Sequence, residues 1–321
     1  MTIVLVGLGS IGKRHLANLL LLWPQAQIYV VSASGRQLPD DELAGQTQLS
    51  LEQAIAVQPL FAVIASPAHL HLQHANAFRD AGIAALIEKP LSHQRQLAAD
   101  FLSEPPSTPL LSLGYCLRYL PSAQVVKQLL AEQRLGPVYL VQAMVGQHLS
   151  QWRKQIDYRD SVSAKQEFGG GALLELSHEL DYLLWLFGPL SVEFCRLQKQ
   201  GELKLDVEER ADLMLSGDNS LLCQLHLDFL QQVPQRRCII SGQQGRIEWD
   251  LLENSVCLIN TDGRQQLYHQ PLWDKNQIYL LMLQDFFTAV TEEKVAPVPL
   301  QDGLAVLALI EQARRIAENT D

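Results

Sequence analysis

The chain opens on Thr2-Ile3-Val4-Leu5-Val6, a short, β-branched, apolar run. Gly7-Leu8-Gly9-Ser10-Ile11-Gly12 follows at once, and Lys13 to Leu20 then reads as an amphipathic helix. Strand, glycine turn, helix is the context in which G-x-G-x-x-G seats a dinucleotide. The first glycine permits the tight turn, the second lets backbone approach a pyrophosphate, and the third lets the helix sit close on the strand. Gly7, Gly9, Ser10, Ile11 and Gly12 are therefore the expected phosphate contacts, faced by helix amides and the helix dipole. A tight βα turn with no ligand is the alternative that the same residues allow.

The residues up to about 115 continue the alternation. Gln27–Val31, Leu60–Ala65, Ala84–Ile87 and Leu110–Leu113 read as strands, with helices between them, one of them running from His69 to Ala81 and ending at Gly82. Apolar strands separated by helices predict a parallel, doubly wound sheet of Rossmann type. The second half changes character. Val138–Val145 is a strand, an irregular polar stretch runs from Gly146 to Phe168, and a helix is expected from Gly171 to Phe187, stopped by Gly188-Pro189. Short strand-like pieces follow (Ser191–Leu197, Arg210–Leu215, Leu221–Phe229, Arg236–Ser241, Arg246–Trp249, Ser255–Ile259), separated by turn residues, as in a mainly antiparallel open sheet. Helices are expected again over Ile278–Glu292 and Gln301–Glu318. The length of 321 residues suits two domains. These are expected over 1–118, which binds the dinucleotide, and 119–321, an α/β domain for substrate binding and oligomerisation, with the last helix able to pack back on the first domain. No flexible linker separates them, so a shared cleft is expected.

Composition removes several classes of function. A net charge of −10 offers no basic footprint for nucleic acid. The five cysteines lie far apart with no CxxC pair, which suits reduced thiols in a cytoplasm and neither a disulfide framework nor a metal site. Strand-like residues begin at Thr2 without a basic leader, and the apolar run Leu19–Trp23 is too short to span a bilayer, so a cytoplasmic protein with no membrane partner is expected.

In NAD-binding units of this kind an acid about 20 residues past the glycines takes the ribose hydroxyls. Here the second strand ends in Ser32-Ala33-Ser34-Gly35-Arg36, and Asp40 and Asp41 come too late. Ser32, Ser34 and Arg36 suit a 2′-phosphate, so NADP is the expected cofactor, with NAD the alternative. The same residues also read as an ordinary polar loop with a solvated arginine.

Loops at the carboxyl ends of parallel strands line the ligand crevice. Ser66-Pro67-Ala68-His69-Leu70-His71 follows the third strand, and Glu88-Lys89-Pro90 follows the fourth. Ser66, Pro67, His71, Glu88 and Lys89 are thus candidate cofactor contacts, and Lys89 can reach the nicotinamide side. By spacing alone Lys89 reads equally as a solvated loop lysine. Further on, Glu175, His178 and Asp181 fall three apart, on one face of the expected helix. An acid–imidazole–acid stripe on an otherwise apolar helix is either a chemical site or a hydrogen-bonded network without catalytic duty.

Five motifs in order resemble the Gfo/Idh/MocA family of NAD(P)-dependent oxidoreductases, named for glucose–fructose oxidoreductase and inositol dehydrogenase. They are Gly7-x-Gly9-x-x-Gly12-x-x-His15, Ser66-Pro67-x-x-x-His71, Glu88-Lys89-Pro90, Gly114-x-x-x-Arg118-Tyr119-x-Pro121, and the glycine run leading to His178-x-x-Asp181. The resemblance implies a Rossmann domain plus an α/β domain whose open sheet commonly packs against a partner subunit. It implies that Lys89 and His178 are catalytic. The family aspartate four residues before that histidine is Leu174 here, and Glu175 stands in for it as the third catalytic residue. The stretch Trp152–Asp181 is similar to a branch associated with bacterial surface sugars, including nonulosonates.

The expected chemistry is hydride transfer between a nicotinamide and a hydroxyl or carbonyl carbon of a sugar or sugar derivative. His178 is the acid/base, since its unperturbed pKa lies near neutral. Lys89 holds the substrate oxygen, and Glu175 orients the imidazole. Arg118, Tyr158, Arg159 and Asp181 are substrate-binding candidates, an arginine matching a carboxylate in bidentate geometry. Arg118, Tyr158 and Arg159 also read as surface or interdomain contacts. The alternatives are a dinucleotide-binding regulator without turnover and an NAD-dependent glycosidase. Apolar strand positions Leu213, Leu215, Leu222, Leu225, Leu227 and Phe229 predict a homodimer or homotetramer through the second sheet.

Overall fold

The structure is a computed structural model and describes residues 1–103, 109–152 and 157–319. The opening apolar run forms β1 (Thr2–Val6), buried from Ile3 onward, and leads through the glycine turn into α1 (Ser10–Leu22). Next come β2 (Gln27–Val31), α2 (Asp40–Leu43), β3 (Thr47–Leu49), α3 (Leu51–Ala56) and β4 (Phe61–Ile64). After them come α4 (His71–Asp80), β5 (Ala84–Ile87), α5 (Arg95–Ser103) and β6 (Leu111–Leu113). The chain goes on through α6 (Pro121–Ala131), β7 (Val138–Gly146), α7 (Ala172–Glu175) and α8 (His178–Phe187). Seven strands follow: β8 (Leu190–Lys199), β9 (Glu208–Gly217), β10 (Leu222–Asp228), β11 (Gln235–Gly242), β12 (Gly245–Asp250), β13 (Ser255–Asn260) and β14 (Gly263–His269). The final elements are α9 (Gln277–Thr291) and α10 (Leu300–Glu318).

Two compact units result, one of Met1–Cys116 with Asn276–Leu304, the other of Leu117–Lys275 with Ala305–Asp321. In the first, six parallel strands lie in the order β3-β2-β1-β4-β5-β6. Every residue of β4 and β5 is buried, as a sheet covered on both faces requires. The strand order reverses between β1 and β4, which opens a ligand crevice at their carboxyl ends. Helix α9 belongs to this unit. It buries Ile278, Leu280, Met282, Leu283, Phe286 and Ala289, with Phe286 edge-on to Phe61 at 5.5 Å and Phe287 against Trp23 at 5.0 Å. Each large side chain so buried contributes about 1.5–3 kcal/mol.

The second unit holds eight strands in the order β14-β13-β12-β11-β7-β10-β9-β8, antiparallel except for β7 and β10. Helices α6, α7 and α8 pack on it. The doubly wound parallel sheet and the mainly antiparallel second sheet read from the sequence are both present.

Four details differ from the sequence reading. The helix expected over Gly171–Phe187 is two helices, α7 and α8, joined at Leu176 and Ser177. The helix expected from His69 begins at His71, after one 3-10 turn over Ala68–Leu70. Strands β3 and β14 are polar edge strands that apolar periodicity does not mark. Of the six apolar positions put forward for an interface, Leu213, Leu215, Leu225, Leu227 and Phe229 are at most 3 % exposed, so they form the core beneath the helices. The open face instead carries Phe194 and Met214 among polar residues.

Candidate functional site

In the first unit, the turn after β1 and the loop after β4 touch at the crevice. Gly7 has φ +91°, and a Cβ there would stand 2.7 Å from the carbonyl oxygen of Ala65 and the amide of Ser66. A Cβ on Gly12 would run into the carbonyl of Gly7. Both positions therefore need glycine. Gly9 is the N-cap of α1; it gives no side-chain cap, it has open space around it, and the first turn of α1 carries no acid. The amides of Ser10, Ile11 and Gly12 have no intrahelical acceptor. An uncapped, acid-free helix start behind an open glycine fits a pyrophosphate.

The loop after β4 is held by two histidines. The ring nitrogens of His71 lie 2.7 Å from the carbonyl oxygens of Ser66 and Pro90, so this ring ties the β4 loop to the β5 loop. Burial pushes the His71 pKa below its ordinary value. His74 Nδ1 lies 3.0 Å from Ser66 Oγ, and burial lowers its pKa to about 4, which keeps that ring neutral. Pro67 opens the 3-10 turn between them. Lys89 is half-buried at the carboxyl end of β5. Glu88 beside it is 6 % exposed, with Oε1 2.7 Å from His15 Nε2 and Oε2 accepting the Lys89 amide at 3.1 Å. Both carboxylate oxygens are thus engaged by protein.

At the end of β2, Ser32 and Ser34 approach through their hydroxyls at 3.5 Å, and Arg36 donates to Glu42 at 3.1 Å. Lys13 of α1 also reaches Glu42, at 3.5 Å. Glu42 is an acid that its spacing from the glycine turn does not mark. It sits in α2, beyond the expected distance, and only the return of the chain brings it beside Arg36.

In the second unit, the glycine run leads into α7 over a buried carboxylate. Gly171 has φ +107°, and a Cβ there would stand 2.5 Å from Glu208 Oε1. That oxygen accepts the amide of Leu173 and pairs with Arg314 at 3.2 Å. Glu208 thus caps α7 from a strand 35 residues away. Glu175 ends α7 and His178 begins α8, both half-buried. They lie on two short helices and not, as the spacing implied, on one continuous face. The first turn of α8 carries Glu179 and Asp181, a favourable placement for negative charge. Each meets an arginine. Glu179 takes Arg236 at 2.6 and 2.9 Å, and Asp181 takes Arg118 at 2.6 and 3.1 Å. Arg118 and Asp181, both put forward for substrate, are therefore a buried bidentate pair. Tyr158 and Arg159 lie together in a polar loop, with Arg159 Cζ 5.3 Å from the Tyr158 ring. Residues 153–156 of the Trp152–Asp181 stretch lie outside the described residues.

The five cysteines are buried, and among the described residues none forms a disulfide. Burial raises Cys195 and Cys223 to about 12, which leaves them unreactive. Among the described residues no group of three or more His, Cys, Asp and Glu side chains is arranged to hold a metal ion, and no helix is long and apolar enough to cross a membrane.

The fold and the first unit's crevice define a dinucleotide-binding protein of the two-unit α/β kind. Residues 1–103 match the family model described as "Oxidoreductase family, NAD-binding Rossmann fold", and residues 123–248 match "GFO/IDH/MocA C-terminal domain". The chain belongs to the Gfo/Idh/MocA family and is an NAD-binding oxidoreductase. It is 31% identical over 268 residues to an uncharacterized oxidoreductase of Synechocystis sp., covering 78% of this chain and 70% of that relative. Among solved structures it is similar to a levoglucosan dehydrogenase in complex with NADH and levoglucosan, with TM-score 0.84, 19% identity, and 100% and 98% of the two chains covered. The UDP-N-acetylglucosamine 3-dehydrogenase of Acidithiobacillus ferrooxidans superposes with TM-score 0.78 at 20% identity, over 99% and 98% of the chains. The WlbA dehydrogenase of Bordetella pertussis, in complex with NADH and UDP-GlcNAcA, gives 0.81 at 19% identity, over 100% and 97%.

Proposed function

We propose that this oxidoreductase acts on a hydroxyl or carbonyl carbon of a sugar or sugar derivative, in the metabolism of bacterial surface sugars of nonulosonate type, in the cytoplasm. The observation that carries the reading lies in the first unit, where the open start of α1 and the Lys89 turn sit at the carboxyl edge of one parallel sheet. Structural neighbours that act on levoglucosan and on UDP-N-acetylglucosamine support the sugar class. When bound, the nicotinamide supplies the hydride acceptor or donor.

The rest is the work of this chain's own residues. The amides of Ser10, Ile11 and Gly12 hold the pyrophosphate, and Ser32, Ser34 and Arg36 favour NADP over NAD. Ser66, Pro67 and His71 shape the crevice. His178 takes the proton from the substrate hydroxyl in oxidation and returns it in reduction. Lys89 holds the substrate oxygen and favours its alkoxide character, and Glu175 orients the imidazole. Tyr158 and Arg159 bind substrate hydroxyls or a carboxylate, while Arg118 and Asp181, engaged with each other, frame the site. The open face of the second sheet, with Phe194 and Met214 exposed, joins two or four copies of the chain.

The test is a hydride-transfer assay with NADPH and NADH against a panel of nonulosonate-type and nucleotide-linked sugars. A net change in reduced cofactor is expected. Sugar release without net change would indicate a glycosidase, and neither would indicate a regulator. With a working substrate, Lys89→Met and His178→Asn each lower turnover by roughly 100-fold or more, and Glu175→Gln lowers it less. Near-wild-type turnover in both would remove the catalytic assignment.

A further inference from the structure

We infer that His15 is a positioning residue for Lys89, acting through Glu88. His15 lies on α1, three residues past Gly12, and is fully buried. Its Nε2 donates to Glu88 Oε1 at 2.7 Å, and the other oxygen of that carboxylate accepts the backbone N–H of Lys89 at 3.1 Å. The Glu88 backbone is fixed independently, its amide donating to Ile64 O of β4 at 2.8 Å. Gly114, after β6, completes the seat. Its amide donates to Ile87 O at 2.7 Å, and a Cβ there would stand 3.2–3.3 Å from Glu88 Cδ, Cα and Oε1. A side chain at 114 would crowd the carboxylate away from His15. On its far flank the imidazole meets the Tyr279 ring edge-on at 6.0 Å, which Arg14 Cζ approaches at 4.8 Å.

Stability alone does not call for this arrangement. Replacing a buried polar pair with apolar side chains of similar volume is often neutral or stabilising. His15 Nδ1 is also buried without a hydrogen-bond partner among the described residues, a cost of about 1–3 kcal/mol that an apolar residue would avoid. What the pair adds is direction. It sets the angle of the Glu88 carboxylate, and through it the Lys89 amide. The helix whose first turn seats the cofactor phosphates thereby also sets where the Lys89 turn sits. This moves Glu88 from cofactor contact to support of the lysine.

The kinetic part of the test rests on the proposed role of Lys89; the exchange part does not. Three variants are compared: His15→Phe, which keeps a ring and loses the donor; His15→Gln, whose amide can still donate to Glu88; and the double variant His15→Phe/Glu88→Met, which leaves no buried charge. Amide hydrogen exchange is followed at Lys89 by NMR in the full-length protein without substrate. Exchange at Lys89 is expected to quicken about tenfold or more in His15→Phe and to stay near wild type in His15→Gln, with the β1 and β4 amides unchanged. With an active sugar, kcat is expected to fall about 10- to 100-fold in His15→Phe and in the double variant, and to recover in His15→Gln, while the Kd for NADH moves less than about threefold. The double variant is expected to regain the thermal midpoint without regaining kcat. Wild-type Lys89 exchange in folded His15→Phe overturns the inference, as does wild-type kcat in the double variant. If no sugar turns over, the proposed function fails and the exchange measurement still decides the role of His15.

Discussion

Arg118→Met tests whether the Arg118–Asp181 pair frames the second unit or reads substrate. The two side chains are 9% and 1% exposed and share two hydrogen bonds, at 2.6 and 3.1 Å. Removing the guanidinium leaves the Asp181 carboxylate buried without that partner, at a cost of about 3–5 kcal/mol. For a unit of this size each kcal/mol moves the midpoint by about 2–4 °C, so the transition of the second unit falls by roughly 6–20 °C. Trp185 reports it, because Arg118 Cζ lies 5.8 Å from its ring and Lys127 Nζ 4.1 Å. Urea titrations followed by tryptophan fluorescence and by circular dichroism give the free energy. The double variant Arg118→Met/Asp181→Leu removes both charges and is expected to recover to within about 1–2 kcal/mol of wild type. Its KM for an active sugar is expected to stay within about threefold of wild type. A single-variant loss below about 1 kcal/mol would show that the carboxylate does not depend on Arg118. A large KM rise in a stable double variant would return the pair to substrate binding.

NADPH is expected to bind more tightly than NADH, Arg36→Ala to lose about tenfold for NADPH alone, and Glu42→Gln to gain for NADPH by freeing Arg36 and Lys13; fluorescence titration checks this, and a preference for NADH refutes it. Phe194→Glu/Met214→Glu is expected to shift the sedimenting species from oligomer to monomer at micromolar concentration, and a monomeric wild type would remove the interface. His226 lies between Asp228 and Asp212 at 2.7 and 2.6 Å, and the Asp228 hydrogen bond, against burial, holds its pKa above 6.5. A raised folded pKa stabilises below the unfolded value and loses that contribution as pH rises through the folded one. Burial pushes Asp228 up, but its bonds to His226, Gln231 and the Leu230 amide hold it below 3.8, so its contribution is lost only as the solution becomes strongly acidic. His226→Gln is therefore expected to destabilise more at pH 6 than at pH 9 in urea titrations, and an equal loss at both refutes the charged bridge.

The first unit was legible because its signals are local. A glycine turn between an apolar run and a helix needs nothing distant to declare itself, and strands buried on both faces read as continuous apolar runs. What stayed hidden depends on partners far along the chain. Apolar periodicity passes straight through Leu176 and Ser177, with no glycine or proline to mark a break. The break is set by tertiary demands: Glu208 caps α7 from β9, while Arg118 and Arg236 draw Asp181 and Glu179 into the start of α8. The seat of Glu88 was hidden for the same reason, its partner His15 lying 73 residues away, whereas Glu42, six residues from Arg36, lies beyond the distance at which a ribose acid is expected. The stripe of Glu175, His178 and Asp181 shows the consequence. Spacing grouped three residues by one helix face, yet the carboxylate of Asp181 is turned to Arg118 and Glu175 stands on a separate helix. Spacing therefore groups side chains along the chain, while the buried ion pairs show which of them, Asp181 and Glu179 among them, are already engaged by protein.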